Sequence, residues 1–93
     1  MEIAVPVEFQ DICSSIVTQH RSLGEWRAIE SDDMFQSEHF CGGFNATEDA
    51  FCFSHYSTDG SEFWFQLTLN DVAAVATGQL QNLTIRAADT FNA

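Results

Sequence analysis

Apolar residues recur along this chain with two different periods, and the change from one to the other divides it into elements. Phe9, Ile12, Cys13, Ile16, Val17 and His20 stand three and four apart, the step that gathers side chains on one face of a helix. Pro6 suits the first helical position, where its missing N–H costs nothing, and Glu8 and Asp11 favour the positive end of the dipole. With His20 and Arg21 in the last turn and Gly24 available as a left-handed stop, the spacing predicts a helix over residues 6–22.

Further on the period falls to two. Trp26, Ala28 and Glu30 alternate as in a short strand, followed by the acidic loop Ser31-Asp32-Asp33. A second short strand is expected from Glu38 to Cys41, ended by the turn signal Gly42-Gly43. The clearest alternation runs through residues 50–56 and 61–69, separated by Ser57-Thr58-Asp59-Gly60. A two-residue turn at Asp59-Gly60 would set Phe51 and Phe53 on the opposite face from Phe63, Phe65 and Leu67. A three-residue loop, Thr58-Asp59-Gly60 with Gly60 left-handed, gathers all five on one face with Leu69. Large side chains gain roughly 1.5–3 kcal/mol each on burial, so the three-residue loop is the reading adopted.

Asn70 is read as the cap of a second helix over 71–77, with Gly78 as its stop, and residues 82–87 alternate as a final strand. The order is α-β-β-β-β-α-β, the first two strands resting on the weakest pattern. It implies one α+β domain over residues 1–93, a two-layer fold with two helices packed on one face of a mainly antiparallel sheet.

Composition changes the picture in one respect. Fourteen Asp and Glu face three Arg and no Lys, a formal net charge of −11. With 45% hydrophobic residues, nine of them Phe, the chain has the makings of a packed core and not of an acidic tail. The acids therefore belong on the surface. Such a surface repels nucleic acid and anionic membrane, so neither is an expected direct partner, and it attracts basic proteins. Three cysteines without framework spacing, a start without a basic n-region and no apolar run near the ~18 residues of a membrane span point to a reduced, cytoplasmic protein.

Candidate chemistry is sparse. His39, Cys41, Cys52 and His55 are zinc-compatible side chains within 17 residues. On a strand, however, positions 52 and 55 point to opposite faces, and no knuckle turn separates them. No metal, cofactor or catalytic residue is therefore assigned. Cys13, mid-helix, and Cys52, mid-strand, read as small hydrophobes. Cys41 lies in an anionic setting that disfavours a thiolate. No glycine-rich phosphate loop occurs.

What remains is the placement of charge. Nine acids but only Arg27 among the bases lie between Glu25 and Glu62. The parity of the hairpin sends Tyr56, Glu62, Trp64 and Gln66 away from the helices, and Trp and Tyr are residues that anchor interfaces. The expected partner-binding surface comprises Glu30, Asp32, Asp33, Glu38, Glu48, Asp49, Tyr56, Asp59, Glu62 and Trp64, with a loop over residues 32–45 as the alternative cover for Trp64. The function expected is a small non-catalytic inhibitor that blocks a basic, nucleic-acid-handling site on another protein by imitating nucleic acid. Size, acidity and lack of catalytic motif are shared with phage anti-defence proteins such as anti-CRISPRs. They are shared too with immunity proteins that neutralise nuclease toxins. A small metal- or thiol-dependent enzyme and an assembly component of a larger particle are the rival classes.

Overall fold

A computed structural model describes residues 2–28 and 34–85, together with the backbone of 87–88. The chain runs β1 (Glu2–Ala4), α1 (Val7–Thr18), α2 (Leu23–Arg27), β2 (Phe35–Gln36), β3 (Phe40–Asn45), β4 (Ala50–Tyr56), β5 (Glu62–Leu67), α3 (Leu69–Ala76), β6 (Asn82–Thr84) and β7 (Ala87–Ala88). Among the described residues, five strands form an antiparallel sheet in the order β2-β3-β4-β5-β7, and β1 pairs with β6 in a separate two-stranded sheet. The fold is the α+β, two-layer arrangement that the alternation implied, with the helices on one face of the large sheet.

The central hairpin follows the expected register. Tyr56 pairs with Glu62 and Phe53 with Phe65. Ser57 N–H donates to the Ser61 carbonyl at 2.8 Å, leaving Thr58, Asp59 and Gly60 as the loop, and Gly60 has φ +90°. Phe51, Phe53, Phe65 and Leu67 are buried against the helices, and Phe63, nearer the sheet's end, is half-buried. From α1, Phe9 reaches down among them, its ring 4.9–5.2 Å from those of Phe40, Phe53 and Phe65. Ile12, Cys13 and Ile16 continue its stripe and Val72 and Val75 supply that of α3. Val17 and His20, expected on the same stripe, are exposed.

Five local expectations are corrected. First, α1 stops at Thr18, and His20 at φ +54°, not Gly24, takes the left-handed position. Second, the stretch around Trp26 is helix, not strand. Ser22 accepts from Glu25 N–H while the Glu25 carboxylate accepts from Ser22 N–H, a reciprocal cap that starts α2 and brings Gly24 inside it. Third, α3 begins two residues early because Thr68 and Asp71, rather than Asn70, make the same reciprocal cap, which draws Leu69 into the helix. Gly78, at φ +80°, is the stop expected. Fourth, the last strand is two: β6 joins β1 and β7 joins β5. Fifth, the expected strand from Glu38 begins at Phe40 and continues through the glycine pair to Asn45.

That continuation depends on Gly42. A Cβ there would lie 2.1 Å from the Cys52 carbonyl oxygen and 2.8 Å from the Phe53 ring, so the aromatic side chain of β4 closes over a position only glycine can occupy.

Candidate functional face

Parity divides the large sheet into two chemically different faces. Phe35, Phe40, Gly42, Phe44, Phe51, Phe53 and His55 are on the helix side. Met34, Cys41, Gly43, Asn45, Cys52, Ser54, Tyr56, Trp64 and Gln66 are on the outer side. Small residues in the middle of the outer face and larger ones around them leave an open cleft of about 360 Å³, bordered by Met34, Tyr56 and Trp64. Met34 is 56% and Tyr56 41% exposed, and Trp64 is half-buried. Both aromatics therefore face away from the helices, as the hairpin parity implied.

The acids fall at the two ends of the sheet's strands. At one end are Glu38 in the β2–β3 turn, Asp59 in the β4–β5 loop and Glu62 opposite Tyr56. Burial, then the nearby Glu62 charge, pushes the Tyr56 hydroxyl above its usual pKa. The Asp59 carboxylate accepts from Ser61 N–H at 2.9 Å and is lowered by that bond. At the other end is the β3–β4 turn with Glu48 and Asp49. Glu48 accepts from Gln66 Nε2 at 3.4 Å. Asp49, at φ +55°, takes both arms of the Arg27 guanidinium at 2.6 and 2.8 Å, so its charge is matched within the fold. The seven residues of β4 between these ends span about 20 Å at roughly 3.3 Å per residue. Glu30, Asp32 and Asp33 lie outside the described residues.

The zinc-compatible set is divided between the faces. Cys41 and Cys52 are on the outer side. His55 is on the helix side, its ring stacked on Phe40 at 4.7 Å. His39 turns toward α1. Among the described residues, no group of three His, Cys, Asp or Glu is arranged to hold a metal ion. The three cysteines are free thiols, and burial pushes that of Cys13 up to about 12. Cys52 Sγ accepts from Gln66 Nε2 at 3.6 Å.

Sequence reading missed Glu8. Its carboxylate accepts from Ser37 Oγ at 2.5 Å and His39 N–H at 2.6 Å, and stands 3.0 Å from His39 Nδ1. The Ser37 hydroxyl, followed by His39, holds Glu8 down at about 2, and Glu8 raises His39 above its ordinary value. Burial moves His55 the other way, aided by repulsion from His39, and its Nδ1 finds no partner among the described residues. This cluster ties the first turn of α1 to the β2–β3 turn and thereby fixes the end of the sheet that carries Glu38.

Comparison with protein-family models, curated proteins and solved structures found no match. Among the described residues, no helix is long and apolar enough to cross a membrane.

Proposed function

We propose that this chain is a small, non-catalytic inhibitor that docks the outer face of its sheet on a basic, nucleic-acid-handling site of a partner protein and blocks it. The observation that carries the reading is the outer face itself: an open cleft lined by Tyr56, Trp64 and Met34 on a sheet whose two ends carry Glu38, Asp59 and Glu62 on one side and Glu48 and Asp49 on the other. Aromatic side chains bury large area at low entropic cost, and fixed charges around them steer a partner of opposite sign. A net charge of −11 on 93 residues strains the fold by self-repulsion, which a complementary partner would relieve. Placement of Cys41 and Cys52 on the outer side and of His55 on the helix side favours docking over thiol–imidazole chemistry as the reading. Three free thiols suit a reducing, cytoplasmic setting. Anti-defence inhibition and toxin neutralisation are two uses of the same docking chemistry.

The test is capture on the immobilised chain from a host lysate, followed by salt elution and assay of the eluted protein's nucleic-acid binding. Binding should weaken steeply with salt, and the captured protein should lose nucleic-acid binding when the chain is added. Trp64→Ala should weaken the complex by roughly 2 kcal/mol with little change in melting temperature. Affinity that is flat with salt, or a captured protein that still binds nucleic acid in the complex, overturns the reading.

A further inference from the structure

We infer that Cys41 and Cys52 form a dithiol site for a soft monovalent cation, the cuprous ion, on the outer side of the sheet. The site stands independently of the docking reading. Strand register sets the pair: Cys41 is opposite Ser54 and Cys52 is opposite Gly43, so the two thiols share one side and stand a single diagonal apart. Diagonal neighbours of an antiparallel pair have their Cα atoms about 7–8 Å apart and their Cβ atoms closer. Thiols turned toward each other from there meet the span of a two-coordinate sulfur site, about 4.6 Å at roughly 2.3 Å per metal–sulfur bond. The other two corners of the quartet, Gly43 and Ser54, bring little bulk of their own.

The donor set decides the ion. Thiolates and thioethers are soft ligands that select copper(I), whereas carboxylates suit harder divalent ions. Met34 lines the same hollow as both cysteines and offers its thioether as a third donor. His39 turns toward α1 and His55 stacks on Phe40. Among the described residues, no three His, Cys, Asp or Glu gather for the four-coordinate site that zinc prefers. Gln66 Nε2 donates to Cys52 Sγ at 3.6 Å, an outer contact of the kind that orients a sulfur ligand. The Cys52 S–H contact to the Ala50 carbonyl, 3.9 Å long, is given up with its proton. Binding forms two sulfur–copper bonds and releases both S–H protons to solvent, with no electron transferred. Acidic surroundings disfavour a bare thiolate, and the cation supplies the positive charge that it lacks.

The experiment is anaerobic titration of the reduced full chain with copper(I) in competition with ferrozine, read by the colour of the copper–ferrozine complex and by native mass spectrometry. One ion per chain is expected. Cys41→Ser and Cys52→Ser, at positions outside the buried core, should each weaken binding at least about 100-fold, and Met34→Leu about tenfold. Cys13→Ala, in the buried stripe of α1, should bind as the unaltered chain does. Circular dichroism establishes that each variant is folded. X-ray absorption at the copper edge of the unaltered chain, which depends on no variant, should show sulfur neighbours alone. Absence of binding against ferrozine, nitrogen or oxygen neighbours, or one ion held between two chains overturns the assignment. Affinity that survives the loss of either Cys41 or Cys52 shows that copper is held elsewhere on the molecule and overturns it too.

Discussion

Glu8 and the two histidines near it make opposite demands on pH. Glu8 is held at about 2 against an ordinary 4.5, so its stabilisation is present above pH 4.5 and is lost as pH falls toward 2. His39 is raised above 6.5; its contribution is full below pH 6.5 and disappears as pH climbs through the raised value. The Glu8–His39 link should therefore be strongest between pH 4.5 and 6.5. His55 is depressed below 6.5, chiefly by burial. Its protonation penalty is absent at high pH and grows as pH falls below 6.5. Glu8→Gln should cost about 1–2 kcal/mol at pH 5.5 in urea unfolding, and His39→Gln should cost more at pH 5.5 than at pH 8. His55→Phe should shift relative stability toward acid, since it removes the penalty of charging a half-buried ring. A wild-type minus His39→Gln difference that does not vary with pH would refute the assignment. None of this was legible in the sequence, because Glu8 and His39 are 31 positions apart and only the packing of α1 on the sheet brings them together.

The elements were legible in proportion to how locally they are determined. The β4–β5 hairpin came out in register because five apolar side chains had to share a face and only one loop length allowed it. The α1 stripe was equally plain, although two of its six positions, Val17 and His20, are exposed. Around Trp26, alternation over three positions suggested a strand, while the decisive signal was Ser22 followed three residues later by Glu25. The same spacing at Thr68 and Asp71 displaced the expected cap at Asn70. Four hydroxyl and carboxyl side chains thus set where two helices begin, and their loss should be felt there. Thr68→Ala should destabilise the fold by about 1 kcal/mol, and Asn70→Ala by markedly less, as read from thermal unfolding monitored at 222 nm. Equal losses would mean that the Thr68 cap does not set the start of α3. Sequence pattern placed Tyr56 and Trp64 on the outer face for the same reason that it placed the hairpin. It gave no sign that Asp49, one acid among many, is matched by Arg27.

At the scale of the whole molecule, charge works against compactness. With fourteen acids against three arginines, screening should relieve repulsion, so the melting temperature should rise between low salt and about 0.5 M sodium chloride. A fall over that range would mean that ion pairs such as Arg27–Asp49 outweigh the repulsion. The two-stranded sheet has a consequence of a different kind. Glu2 pairs with Thr84 and Ile3 with Leu83, so these bonds close a loop of nearly the entire described chain, whereas β3, β4 and β5 join through short turns. Loop-closure entropy puts such distant pairings late in folding. On a ribosome, residues 2–4 must wait, already synthesised, until residues 82–84 have left the exit tunnel. Amide exchange should report the same order at equilibrium, with Ile3 and Ala4 exchanging well before Phe53 and Phe65. On this expected order, β3, β4 and β5 form first and the small sheet is the latch that closes last.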